Sequence, residues 1–268
     1  MPVGAHRSYA LPARAWTPSP GRDTPVLYED FMWGCANPTA VDKVATVGAA
    51  GDTVRCQSGL LIGCTAATPA DVLYYGVNAA DGQAHLRHSA VAEAQDVFLY
   101  NGDHCTLDID RGIWFTWRWM MATGWIPNGA GDIICMGLAT ARNTTFNSVT
   151  EHAWFRIEAD ADLMVEIDGN TVATDLDDQD TTLDIVAGTW YQSKLLVLPD
   201  RSIEFYHLDE SAMNPAFVRC LGATTFAFPT TATGLLQPLI ETQKDADVGV
   251  HGVAVDYVYC GQINKRTA

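Results

Sequence analysis

Glu166 and Asp168 stand two residues apart in "DLMVEIDGN", and on a strand such residues project from one face. Paired carboxylates are the equipment of glycoside cleavage, one serving as acid and the other as base or nucleophile. A second acidic group, Asp175, Asp177, Asp178, Asp180 and Asp184 in "TDLDDQDTTLD", alternates oxygen ligands in the manner of a calcium loop. It lacks that loop's glycine and terminal glutamate, and we read it as an acidic surface loop.

Other chemistry finds less support. His85 and His88 in "HLRH" would converge on a metal only if helical; on a strand they point to opposite sides. There is no H-E-x-x-H, no G-x-S-x-G elbow, and no lysine in the loose glycine loops "GAAGD" and "GWIPNGAGD" to cradle a phosphate. We therefore expect no catalytic residues, no metal ligands and no cofactor. Sugar binding needs only aromatic platforms and a few polar groups, and the chain has 8 Trp and 9 Tyr. Most sit in strand patterns and read as core. Trp125, in the loop "TGWIPNGAG", does not, and is the candidate glycan platform.

Sixteen Lys and Arg against 32 Asp and Glu give a net charge of −16, which repels a nucleic-acid backbone. No run of about 18 apolar residues is present to span a bilayer, and the N-terminus lacks the apolar core of a secretory signal. Seven cysteines (Cys35, Cys56, Cys64, Cys105, Cys135, Cys220 and Cys260) are odd in number, scattered and without C-x-x-C spacing, which predicts reduced thiols and synthesis in a reducing cytoplasm. In that setting the sequon at Asn143 is a chance match.

Residues 1–27 form a separate unit by composition. They hold five of the 12 prolines and show no apolar periodicity, which predicts an extended arm. Arg7, Arg14 and Arg22 outweigh Asp23, so a basic arm precedes an acidic body. Tyr9, Leu11 and Trp16 are its apolar anchors, and with the three arginines they make up the candidate interaction residues.

From Tyr28 onward short runs rich in Val, Ile, Thr and aromatics alternate with Gly, Asn, Asp and Pro punctuation. In "GIWFTWRWMM", Phe115, Trp117, Trp119 and Met121 share one face and Trp114, Thr116, Arg118 and Met120 the other, which predicts a central strand. "VHGVAVDYVYC" is the expected closing strand, with Val253, Val255, Tyr257 and Tyr259 on one side. Glu166 and Asp168 fall on the wet side of an expected hairpin whose turn is Asp168-Gly169-Asn170. The best helix candidate is the short connector Ser89 to Asp96, which Ser89 would cap. Many strands and no repeat predict an all-β fold, two antiparallel sheets packed as a jelly-roll sandwich over residues 28–268.

The order of segments "WFRIE", "AGTWYQSKLLVLPDRSIEFYHLD", "LLQPLIETQK" and "VAVDYVYC" resembles the concanavalin A-like lectin and glucanase jelly roll, in its laminin-G-like form. Gly188-Thr189-Trp190, Ile203 to Tyr206 and Asp256-Tyr257 match the family's strand lead-in, the strand after its polar turn and its late Asp-Tyr pair. The resemblance covers roughly residues 112–264. Glucanases of this family carry E-x-D-x-x-E on one strand. Here Glu166 and Asp168 are followed by Thr171, whose hydroxyl cannot protonate a leaving group, so the resemblance does not imply hydrolysis.

Free-standing domains of this kind are similar to structural proteins of tailed-phage particles. The resemblance thus implies a non-enzymatic capsid decoration protein, located on the virion after synthesis in the host cytoplasm. Its arm and surface would bind the major capsid protein or further copies of itself as a homo-oligomer. The alternative is a carbohydrate-binding module of a tail fibre or adhesion structure, and a degenerate glycoside hydrolase comes third.

Overall fold

The computed structural model describes residues 23–29, 44–46, 53–55, 59–65, 72–75, 83–104, 106–129, 131–159, 161–169, 176–232, 234–246 and 248–263. In chain order the strands are β1 (Asp23–Glu29), β2 (Val44–Thr46), β3 (Thr53–Arg55), β4 (Leu61–Thr65), β5 (Val72–Tyr75), β6 (Ala84–Arg87), β7 (Gln95–Tyr100), β8 (Leu107–Asp108), β9 (Ile113–Met120), β10 (Ile133–Ala139), β11 (Glu151–Ile157), β12 (Asp162–Gly169), β13 (Leu176–Asp184), β14 (Trp190–Val197), β15 (Ser202–Asp209), β16 (Val218–Arg219), β17 (Phe226–Ala227), β18 (Leu235–Lys244) and β19 (Gly252–Ile263). Among the described residues the only helical turns are two short 3-10 pieces, Ile109–Arg111 and Phe146–Ser148.

Two antiparallel sheets result, as the strand pattern predicts. The first runs β16-β15-β14-β9-β19-β6-β5-β2, with β1 on β19 and β17 on β15; the second runs β13-β12-β11-β10-β18-β7-β4-β3, with β8 on β18. Residues facing inward from both sheets build one core. Phe115, Trp117, Trp119 and Met121 line it from β9 and just beyond, while Ala153, Phe155 and Ile157 line it from β11. Trp117 meets Phe155 across the sandwich, ring centroids 5.8 Å apart and edge to face.

Two prolines sit where a sheet tolerates them. β1 pairs with β19 alone, and its register shifts between Pro25 and Leu27. Pro238 lies inside β18 opposite Leu138 of β10, at a position that neither β8, which pairs Leu235 and Leu236, nor β7, which pairs Leu239 to Lys244, takes up on the other side. At Gly137 of β10 a Cβ would stand 2.5 Å from Trp154 Cα, so only glycine lets β11 approach this closely.

Five expectations change. The Ser89–Asp96 connector is not helical: the chain bends and β7 begins at Gln95. The Gln95 side chain accepts from the Ser89 amide and donates to its hydroxyl, while Lys244 Nζ holds the Ser89 and Val91 carbonyls, so side chains take the partners a helix would have used. The acidic run is not a loop over its length, because Leu176–Asp184 forms the edge strand β13, paired to β12 through two register shifts. An acidic, bulged edge blunts further strand addition.

In β19 the alternation does not run through. A register shift between Val255 and Tyr257 inserts one residue, so Val253, Val255, Val258 and Cys260 face the core and Tyr257 and Tyr259 do not. The boundary placed after residue 27 cuts through β1, whose residues 23–27 belong to the first sheet. Finally, "WFRIE" returns through residues 158–161 into β12, one turn earlier than expected, because β11 and β12 pair from Ile157↔Leu163 onward.

Candidate functional site

Part of the second sheet's outer face is covered. Phe146 and Val149, from the segment between β10 and β11, pack on Cys135, Trp154 and Leu239. Beneath this cover Glu166 is fully buried, which corrects its placement on a wet hairpin face. Its Oε2 accepts from Arg156 at 2.7 Å and from Trp154 Nε1 at 3.1 Å, and Oε1 lies 2.9 Å from His152 Nε2. Burial alone would raise its pKa, but the His152 and Arg156 contacts outweigh that and hold it down at about 2. Asp168, paired across from His152, remains half-buried.

A second charge centre lies on the same face. Arg142 stacks over Phe98 at 3.8 Å, and its Nε lies 2.9 Å from Glu241 Oε1. Burial pushes Glu241 up to about 8 and Asp96 to about 6, with Arg142 opposing both. Of these groups only Glu241 is sealed from water, and a polar group buried this completely is committed to structure.

The first sheet's outer face carries the candidate site: its outward groups around Arg118 are half-buried, while Trp114 farther along β9 is buried. Cross-strand register aligns Gln192, Arg118 and Tyr257 in one row, and Lys194, Thr116 and Tyr259 in the next. All six are half-buried. Arg118 donates to both oxygens of Glu210 at 2.8 Å and to Asp256 at 2.8 Å, while its guanidinium lies 4.1 Å over the Trp190 ring. Gln192 Nε2 donates to Glu210 at 2.8 Å, and Gln192 Oε1 accepts from the Tyr257 hydroxyl at 3.1 Å. Burial opposes the Arg118 charge, but the Glu210 and Asp256 hydrogen bonds hold it charged; Glu210 is held down in turn, and burial, with Glu210 nearby, pushes Tyr257 up. Alternation from Val255 already turns Asp256 outward, and the bulge that follows is what brings Tyr257 to the same network.

Trp125 belongs to the same face. Its ring meets His85 edge to face at 5.2 Å and lies 5.7 Å from the Arg87 guanidinium, both on the outward side of β6. Its loop is tied down: Gly252 N–H donates to the Trp125 carbonyl at 3.1 Å, and Asp132 accepts from Gly129 N–H at 2.7 Å and lies 2.8 Å from His251 Nε2. Burial, helped by Arg87, pushes His85 down to about 4.

Arg7, Tyr9, Leu11, Arg14, Trp16 and Arg22 lie outside the described residues. His85 and His88 do not converge: His85 faces outward and His88 is buried, 3.0 Å from the Thr242 carbonyl. The described cysteines, Cys64, Cys135, Cys220 and Cys260, are buried, and burial pushes Cys220 and Cys260 up to about 12. Ser193 and His207, 3.3 Å apart, face the core with Trp119 and offer no accessible nucleophile. Arg118, Gln192, Lys194 and Tyr257 went unmarked in the sequence. Their signal is polar residues at matching phase in adjacent central strands, and it needs the pairing register to be seen.

The fold is the concanavalin A-like jelly roll, a two-sheet antiparallel sandwich. No protein-family model and no curated protein matches the chain. A protein of unknown function from Shewanella oneidensis MR-1 is similar with a TM-score of 0.53 at 11% identity, over 94% of this chain and 92% of that one. The Emp47p carbohydrate recognition domain gives 0.51 at 9% identity, over 92% and 99%. A Lotus tetragonolobus seed lectin gives 0.47 at 9% identity, over 84% and 100%. At these identities the likeness is one of fold.

Proposed function

We propose that this chain is a carbohydrate-binding module that takes a saccharide on the outer face of its first sheet. The observation that carries the reading is the pairing of half-buried rings, Trp125, Trp190 and Tyr257, with a polar network already tied in place, Arg118, Gln192, Glu210 and Asp256. Rings supply a platform for a sugar face, and fixed donors and acceptors supply orientation without a large ordering cost. The fold shared with the Emp47p carbohydrate recognition domain is in keeping with it. We infer no hydrolysis at Glu166, because Arg156, His152 and Trp154 enclose its carboxylate.

A glycan array with the wild-type chain, Trp125→Ala and Gln192→Ala tests the reading. We expect specific binding by the wild type and at least tenfold weaker binding by both variants. Binding unchanged in both would place the site elsewhere, and no binding by the wild type would end the proposal.

A virion structural role is the second reading, and β1 favours it: pairing with β19 roots the end of the arm on the sandwich. Deleting residues 1–22 would then abolish attachment to particles or self-association while the sandwich still folds. Undiminished association in the deletion variant would discard it.

A further inference from the structure

We infer that Lys194 is an anion seat within this face, and that the saccharide bound there carries an isolated carboxylate or sulfate. The inference rests on the carbohydrate-binding reading and sharpens it.

Lys194 projects outward from β14, between Tyr206 of β15 and Thr116 of β9. Its ammonium lies 4.3 Å from the Tyr206 ring centroid and 5.2 Å from that of Phe217, so two rings bracket it. Among the described residues it has no ion pair within 4.0 Å. The carboxylate nearest in effect, Glu204, is already engaged, accepting from the Tyr206 hydroxyl at 2.7 Å and lying 3.5 Å from Arg219 Nη1. Thr116 spends its hydroxyl on the Ser193 carbonyl at 3.0 Å.

The other cation at the centre of this face is accounted for, because Glu210 and Asp256 both hold Arg118. Lys194 therefore presents a partly desolvated ammonium on which Glu204 acts from a distance and with which no described carboxylate pairs directly, in a chain with a net charge of −16. Rings attract an ammonium but leave its N–H donors to be satisfied from outside. An anion arriving there gains a charge-assisted hydrogen bond at a site where water is already partly excluded. The acidic body argues against a densely charged polymer. A single anionic group is different, because distant charges are screened beyond a Debye length of roughly 8 Å at physiological salt.

The test is a glycan array in which each neutral oligosaccharide is matched by forms bearing one uronic acid or one sulfate ester. It is run with the wild type, Lys194→Met and Lys194→Arg, at two salt concentrations. Lys194→Met keeps the aliphatic stem against Tyr206, and a thermal melt confirms that both variants fold. We expect the wild type to prefer a charged form about tenfold over its neutral match, with the preference weakened by salt, lost in Lys194→Met and retained in Lys194→Arg. The uronic-acid and sulfate arms identify which anion is seated. Equal binding of charged and neutral forms by the wild type, or a preference that survives in Lys194→Met, overturns the anion seat and leaves carbohydrate binding standing. Binding to no saccharide overturns both.

Discussion

The two outer faces of this sandwich carry similar residues and put them to opposite uses. On the second sheet Glu166, Arg156 and His152 sit under a cover that includes Phe146 and Val149, and burial forces them to satisfy one another. On the first sheet Arg118, Glu210, Asp256, Gln192 and Lys194 are half-buried and keep part of their surface in water beside Trp190, Tyr257 and Tyr206. A charge sealed from water without its partner costs several kcal/mol, so sealed groups are committed to holding the fold. Half-buried groups keep water as an alternative partner, and a ligand can take that water's place. Chemistry-bearing residue types therefore mark a site only where the face stays open.

Four measurements would break or sharpen this contrast. The largest effect belongs to Arg156→Met, which strands the Glu166 carboxylate beneath its cover; we expect a loss of about 3–5 kcal/mol in urea unfolding. A loss under about 1 kcal/mol would mean that the face is not sealed.

The pH dependence comes next. The Glu166 carboxyl is held at about 2 in the folded chain, below its ordinary 4.5, so its contribution is present above pH 4.5 and is lost as pH falls towards 2. The shift corresponds to about 3 kcal/mol, and Glu166→Gln should flatten this acid limb. Glu241 is raised to about 8 and Asp96 to about 6, so the folded chain holds extra protons there and their contribution is lost as pH rises through those values. Urea midpoints measured from pH 5 to 9 should decline in the wild type and decline less in Glu241→Gln; parallel curves would refute the assignment.

On the first sheet's outer face Trp125→Ala should cost binding rather than folding, a tenfold loss of glycan affinity being about 1.4 kcal/mol. The smallest effect is expected for Arg118→Met. Its ion pairs are partly wet, and water can take over Glu210 and Asp256, so stability should fall by only about 1 kcal/mol. A fall as large as that of Arg156→Met would erase the distinction between the faces.

Much of the fold was legible in the chain. The two faces of β9 came directly from alternation, and Gly188-Thr189-Trp190, Ile203 to Tyr206 and Asp256-Tyr257 each lie where the family resemblance implies: at the start of β14, within β15 and within β19. The site was less legible. Trp125 was marked because it falls outside any strand pattern, whereas Arg118 and Gln192 lie inside strands and looked like ordinary outward positions. Glu166, singled out for its pairing with Asp168 and read as the wet side of a hairpin, proved to be buried, since "DLMVEID" specifies which face a side chain takes and not what lies above that face.

By itself, then, the sequence determined most of the strands and, within each unbroken strand, the sorting of residues into two faces, because a period of two residues is a local property of extended backbone. It also determined the −16 charge, which repels a nucleic-acid backbone. Only the tertiary structure decided that part of the second sheet's outer face is roofed while the groups around Arg118 on the first sheet's keep part of their surface in water. The same holds for the extra residue in β19 that turns Tyr257 towards Arg118, and for Leu176–Asp184 becoming an edge strand. Those outcomes depend on contacts between segments far apart in the chain, and burial, which separates a structural charge from an available one, is settled by those contacts alone.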